Sequence, residues 1–235
     1  MKRFNELVAG VRDRYPGDTF FVHFESSCKA IPLKLKNYKV YERAFLALDP
    51  ASWKALQEKA LDHYLDHRPG QLKQGFFNQL NEAFAYRFLK NQGFKGITFV
   101  PESKQKSPDL SFLHQRRRRY CEVKTLSISE AAISRRAKGT VFDGSTYSNL
   151  GAGFFNKIRS TIDSAMVQLA PYDESGLVFL FVTFDDFTFD HYSTYRRQLN
   201  AFLQTHSAKE VRLKLGLVGQ RSVAKGIVAR GAHRA

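Results

Sequence analysis

The sequence predicts an α/β fold: a three-layer core in which helices flank a mixed central sheet, preceded by an N-terminal α+β extension. Three observations carry this. Apolar residues recur at helical spacing over 71–92 and 154–169, the pattern of helices that bury one face. Short apolar runs at 97–100, 109–114 and 119–126 alternate with these helices, as strands do when helices cover a sheet. The stretch 177–184 is nearly continuous in Leu, Val and Phe, the composition of a strand buried on both sides.

Taken in order, residues 2–14 predict a short helix with Phe4, Leu7, Val8 and Val11 on one face. Tyr15-Pro16-Gly17-Asp18 is a turn signal. Thr19–Phe24 is aromatic and strand-like, and the alternation of Ile31, Leu33, Leu35, Tyr38 and Val40 with lysine over 28–48 predicts one or two more strands. A helix starts near Pro50, which suits a first turn, with Asp49 as its cap. Trp53, Leu56, Ala60, Leu61 and Tyr64 face inward from it. Arg68-Pro69-Gly70 ends it and divides an extension, 1–69, from a core, 70–220. His63 and His67 stand one helical turn apart, but without the glutamate of an HExxH helix they read as surface histidines.

The helix over 71–92 buries Phe77, Leu80, Phe84 and Phe88, carries Glu82 off the centre of that stripe, and stops at Gly93. After the strand at 97–100, Glu102 reads as a loop charge. Further on, Ser127 and Glu130 form a capping-box pattern. Residues 139–153 hold four glycines and predict a mobile loop, with ordering over substrate as a lid the functional reading beside it. In the helix 154–169, Phe155, Ile158, Ile162, Ala165 and Leu169 face the core, and Lys157, Thr161, Ser164 and Gln168 form a polar stripe. Asp185-Asp186 reads as a turn. A helix over 192–205, a last strand over 211–218 and a basic tail, 221–235, complete the chain.

Composition bounds the function. With 37 Lys and Arg against 22 Asp and Glu, the formal charge of the 235 residues is +15. Such a chain is drawn to polyanions, above all nucleic acid, by release of counterions from phosphates. Only two cysteines occur, Cys28 and Cys121, which excludes a disulfide framework and fits a reducing compartment. No apolar run reaches the length of a membrane span, and the start, Met1-Lys2-Arg3-Phe4, leads into no signal-peptide core. The expectation is a cytoplasmic protein with no membrane partner. Zinc-finger spacing, heptads and internal repeats are absent from the sequence.

Ser107–Thr125 carries the chemistry. Asp109 opens an apolar run, a polar tip of His114, Gln115 and Arg116, Arg117, Arg118, Arg119 follows, and Tyr120–Leu126 leads back. This predicts a β-hairpin. Glu122 and Lys124 share one strand face, with Cys121 and Val123 on the other. The hairpin can bring the Asp109 carboxylate beside that of Glu122. Two close carboxylates repel unless a cation lies between them. Mg²⁺ takes one or two carboxylates and completes its shell with water and phosphate. A lysine two residues along the strand can hold a water, so the set suits metal-assisted hydrolysis of a phosphodiester.

Pro108-Asp109, with twelve residues before Glu122-Val123-Lys124, resembles the PD-(D/E)XK signature of restriction-endonuclease-like nucleases. The resemblance implies a restriction-endonuclease-like core and Mg²⁺-dependent endonuclease activity on DNA, with Mn²⁺ as a substitute. It implies that Asp109, Glu122 and the Val123 backbone carbonyl bind the metal and that Lys124 orients the attacking water. Glu82 fits the acidic residue that this superfamily often places on the helix before the hairpin. Lys157 or Gln168 fits the polar residue often lent by the helix after it. Arg116 to Arg119, beside such a site, would clamp a phosphate backbone. Many enzymes of this group cut two strands as dimers, so a homodimer is compatible with the resemblance. The rival expectation is a non-catalytic nucleic-acid-binding protein that retains the fold.

Overall fold

The computed structural model describes residues 1–67, 72–102, 106–126, 148–184, 191–205 and 211–217. The chain forms two compact units, Met1–Glu102 with Asp109–Arg118, and Ser103–Pro108 with Arg119–Ala235. The first unit holds α1 (Lys2–Arg14), α2 (Phe24–Ala30), α3 (Pro32–Phe45), α4 (Pro50–Asp62), α5 (Gln74–Asn91), β1 (Lys95–Phe99), β2 (Leu110–His114) and the start of β3 (Arg117–Leu126). The second holds the rest of β3, α6 (Ala152–Leu169), β4 (Leu177–Phe184), α7 (Tyr192–Thr205) and β5 (Val211–Leu217).

Aromatic packing builds the first unit. The Phe4 ring lies 4.4 Å from Tyr38 and 5.5 Å from Phe24. Phe45 meets Trp53 at 5.1 Å, and Tyr64 meets Phe76 edge-on at 5.3 Å. Ring pairs at these separations add to the burial of their large apolar area. The helix ends are satisfied from within the unit. The N-terminus of α1 has no side-chain cap of its own, and Glu42 of α3 supplies one, accepting from the backbone N–H of Phe4 at 2.9 Å and of Arg3 at 3.2 Å. Asp49 caps α4 by accepting from the Ser52 N–H at 2.9 Å, and its other oxygen accepts from the Tyr86 hydroxyl of α5 at 2.8 Å. The Ser52 N–H, against the opposing effect of burial, brings the Asp49 carboxyl down to about 2.

Several expectations are corrected here. Thr19–Phe24 is not a strand: residues 20–23 form a turn and α2 begins at Phe24. Nor is 28–48 strand: it is the end of α2 followed by α3. Tyr38, Glu42 and Phe45 form a buried stripe at helical spacing, while Leu33, part of the apparent alternation, is exposed. The described part of 1–69 is therefore helical rather than α+β. The compact units also divide the chain elsewhere than at residue 69, because α5 packs on α3 and α4 within the first unit. On α5 itself, Phe76, Leu80, Phe84 and Leu89 are buried, while Phe77 and Phe88 are only half-buried. The α4 helix ends at Asp62, so His63 and His67 lie beyond it. His63 Nδ1 is 2.6 Å from Asp66 Oδ2, and His67 Nδ1 is 2.7 Å from the Leu65 carbonyl.

β1 and β2 pair antiparallel, with Lys95 opposite Leu113 and Phe99 opposite Leu110. β2 turns into β3 through two residues, Gln115 (φ 50°) and Arg116 (φ 64°). The expected six-residue tip is thus reduced to a two-residue turn, and Arg117, Arg118 and Arg119 belong to β3. Two positive φ angles are what a type I′ hairpin turn requires, and Asn-Gly adopts them with least strain. Replacing Gln115 by Asn together with Arg116 by Gly is expected to raise stability by about 1 kcal/mol. Denaturant unfolding reads this as a higher midpoint at unchanged slope, and a lower midpoint would contradict it.

In the second unit β3 and β4 run parallel, with Glu122 opposite Val178 and Lys124 opposite Leu180. β4 and β5 are also parallel, with Val178 opposite Val211. Hydrogen-bonded neighbours follow the order β1-β2-β3-β4-β5, an antiparallel pair at one end and parallel pairs at the other. The fold is therefore α/β with a mixed sheet. Ile158, Ile162, Ala165, Met166 and Leu169 of α6 and Tyr195, Leu199 and Leu203 of α7 pack with Leu126, Val178, Leu180 and Val182. Residues 177–183 of β4 are buried apart from half-buried Thr183, as expected for a strand with neighbours on both sides. No helix among the described residues is long and apolar enough to cross a membrane. The 127–130 capping box, most of the 139–153 loop, Asp185-Asp186 and the tail 221–235 lie outside the described residues.

Candidate metal centre

Each unit gathers one set of charged groups. In the first, Glu82 projects from the middle of α5, and it is buried rather than at the rim of the apolar stripe. Asp109 stands just before β2, where its backbone carbonyl accepts from the Val100 N–H at 3.0 Å. Lys59 of α4 brings these together: its Nζ is 2.7 Å from Glu82 Oε1 and 3.4 Å from Asp109 Oδ1. Glu102 joins at 3.5 Å from the same Nζ, and His63 Nε2 is 3.3 Å from Glu102 Oε1. Burial disfavours the Lys59 ammonium, but the charges of Glu82 and Asp109 outweigh it, and the pKa is raised.

In the second unit, Glu122 is 1% exposed on β3. A carboxylate taken so fully from water needs partners. Lys124 Nζ donates to Glu122 Oε1 from two residues along the same strand face. Gln168 of α6 donates its Nε2 to Glu122 Oε2 at 3.0 Å and accepts from Lys124 Nζ at 3.1 Å. The Gln168 amide also donates to the Ser107 carbonyl at 2.7 Å. Cys121 is buried, a small apolar group rather than an exposed nucleophile.

The remaining candidates divide. Arg119 donates to Asp173 Oδ2 at 2.6 Å and to the Ser175 carbonyl, so it ties β3 to the loop before β4. Arg118 donates to Ser111 Oγ at 3.1 Å. Arg116 and Arg117 are exposed at the hairpin turn. Lys157 is exposed and shares a helix face with Gln168, yet eleven residues separate them, about 16 Å along the axis. The structure does not bring Lys157 to the Glu122 cluster. Lys59 is the residue missed from the sequence. Its signal was its place on α4, one turn from both Leu56 and His63, with no hint in the sequence of the carboxylates it meets.

The acidic groups of each unit, Glu82 and Asp109 in the first and Glu122 in the second, offer oxygen donors. Hard oxygen donors without thiolate or imidazole suit Mg²⁺ or Mn²⁺ rather than zinc. Among the described residues no group of three or more His, Cys, Asp or Glu is arranged to hold a metal ion by itself. Compared with protein-family models, curated proteins and solved structures, the chain has no match.

Proposed function

We propose that this chain is a Mg²⁺- or Mn²⁺-dependent endonuclease that hydrolyses DNA phosphodiester bonds, with Asp109 and Glu122 sharing the metal. The observation that carries this reading is the Glu122–Lys124–Gln168 triangle. It presents a buried carboxylate, an aligned ammonium and an amide, and the amide also binds the carbonyl of Ser107, two residues before Asp109 in the chain. A buried ion pair kept only for stability gains little over apolar packing. A triangle of this kind, on the strand that carries Glu-Val-Lys, has a use in positioning charge for chemistry.

In this reading the donors are oxygens of the kind Mg²⁺ and Mn²⁺ take. Asp109, Glu122 and the Val123 carbonyl would hold it, with Glu82 in support. Such a metal supplies charge neutralisation at the scissile phosphate. The other steps belong to side chains. Lys124 Nζ, fixed between Glu122 and Gln168, has a third N–H with which to orient the attacking water in line with the phosphorus. Glu122, held by Gln168, keeps that ammonium in place. Exposed Arg116 and Arg117 contact the DNA backbone and position it without reading its sequence.

Supercoiled plasmid tests the reading. Nicked and linear products are expected with Mg²⁺ or Mn²⁺ and none with excess chelator. Binding that falls with salt, without cutting under any metal, would transfer the chain to the non-catalytic nucleic-acid-binding class. Absence of both binding and cutting would remove either reading.

A further inference from the structure

We propose that a cavity at the end of the β1–β2 pair holds one unpaired nucleotide of a DNA strand, with its base against the rings of Phe94 and His114 and its phosphate on Lys95 and Arg116. The inference deepens the nuclease reading by naming the form of the substrate, and it rests on that reading for the fate of the bound strand.

The cavity lies wholly within the first unit. Its volume is about 420 Å³, inside the range of small-ligand sites, about 300–1,000 Å³. Backbone geometry shapes it from both strands. After α5, Gly93 takes φ 82° and turns the chain into β1. A side chain at Gly93 would meet nothing within 4 Å, so that side of the cavity is open. Lys95 lies opposite Leu113 and Thr98 opposite Ser111, so β1 carries one extra residue, with Gly96 at φ 56°. Such a bulge bends a strand and re-aims its side chains. From β2 the turn brings Arg116 to the cavity at φ 64°. Asn-Gly would make that turn with less strain, and strain of this kind persists where a functional side chain is needed.

The lining joins rings to cations. The Phe94 ring lies 4.8 Å from Phe112 and 5.2 Å from His114. Phe112 is buried and anchors the group, while Phe94 and His114 are half-buried and line the cavity. Lys95 and Arg116 are exposed there, and among the described residues no acidic side chain lines the cavity. Aromatic rings beside positive charge suit an unpaired base and its phosphate, because every base has a face to stack and every phosphate a charge to meet. A duplex would use the cations alone, since its bases stay inside the stack. Asp109 and His114 stand at opposite ends of β2, about 17 Å apart along the strand. The cavity is therefore separate from the acidic groups.

Fluorescence anisotropy of the full chain tests this, with a short labelled single strand and with the same sequence as a blunt duplex, both in chelator. Phe94→Leu and His114→Ala are each expected to weaken single-strand binding roughly tenfold, the size of one lost base–aromatic contact, and to leave duplex binding unchanged. Arg116→Asn, which keeps a residue suited to positive φ, should weaken single-strand binding more than Lys54→Gln, an equal loss of charge at an exposed position of α4. Should Phe94→Leu not fold, His114→Ala gives the same reading from a half-buried position. Folded ring variants that bind the single strand as wild type does, or that lose duplex binding equally, would overturn the proposal. Displacement of the strand by an equal concentration of thymidine monophosphate would also overturn it, by assigning the cavity to a free nucleotide. Ring-dependent single-strand binding in a protein that cuts no DNA with Mg²⁺ would uphold the cavity and overturn the nuclease reading. Plasmid cutting without ring-dependent binding would do the reverse.

Discussion

Lys124→Ala is expected to lose roughly 10³-fold in metal-dependent DNA cleavage, the range in which positioned proton-handling groups contribute, while DNA binding changes little. Asp109→Ala should lose as much or more, because it removes a metal ligand. The two variants differ in what they leave behind. Without Lys124, the buried Glu122 keeps the Gln168 amide at 3.0 Å, so the cluster loses its ammonium but not its carboxylate. Without Asp109, Lys59 retains Glu82 at 2.7 Å, so the first unit keeps its buried pair. In this reading binding rests on the overall charge of +15, which each substitution shifts by one, and on exposed arginines, which neither touches. Gel shift at fixed salt beside a plasmid time course separates the two effects. Wild-type cutting by Lys124→Ala would take the lysine out of the mechanism.

Asp18→Ala is expected to destabilise the protein by about 3–5 kcal/mol, the cost of leaving a buried ion-pair partner uncompensated. Lys73 lies in the left-handed region (φ 59°) at the N-cap of α5, and its side chain is only 5% exposed. Its Nζ pairs with Asp18 Oδ2 and stands 3.8 Å from the centre of the Tyr64 ring. The Tyr64 hydroxyl donates to Asp18 Oδ1 at 2.6 Å, and the Phe20 N–H donates to the same oxygen at 2.9 Å. Removing the carboxylate strands a buried ammonium at the start of the helix that carries Glu82. Burial raises the Asp18 pKa, but hydrogen bonds from Lys73 and Tyr64 outweigh it, and the net shift is downward. Its stabilising contribution is therefore present above the unfolded value, near pH 4, and is lost as pH falls through the lowered folded value. Asp18→Asn should flatten that part of the acid limb. Urea unfolding at neutral pH and at pH 3 measures both effects. An Asp18→Ala loss below about 1 kcal/mol would class the pair with exposed salt bridges.

The parts of the fold legible in the sequence were those whose burial follows one period. Phe4, Leu7, Val8 and Val11 mark α1, the Ile158–Leu169 stripe marks α6, and the apolar run of β4 marks a central strand. The α2–α3 region was misread because its helical stripe contains a charge. Glu42 sits between Tyr38 and Phe45, buried to cap α1, and a buried glutamate breaks the apolar pattern while Leu33 and Leu35 among lysines imitate a strand. The hairpin turn was drawn too wide because Gln115-Arg116 lacks the glycine or asparagine that usually announces positive φ.

At the site, strand alternation placed Glu122 and Lys124 on one face, and the resemblance to restriction-endonuclease-like nucleases made Gln168 of the polar stripe a candidate; the three are joined by hydrogen bonds. Lys59 was not legible. It meets Asp109 across fifty residues of chain, a meeting that tertiary packing and not local sequence creates. The partner of Arg119 was hidden for the same reason, since Asp173 lies beyond α6.

Crystals soaked in Mn²⁺ and measured for anomalous scattering test the central claim most directly. The account predicts a peak with both Asp109 and Glu122 among its ligands, absent from Asp109→Ala crystals. A peak bound by one of the two carboxylates alone, or no peak in crystals that accept Mn²⁺ elsewhere, would contradict it.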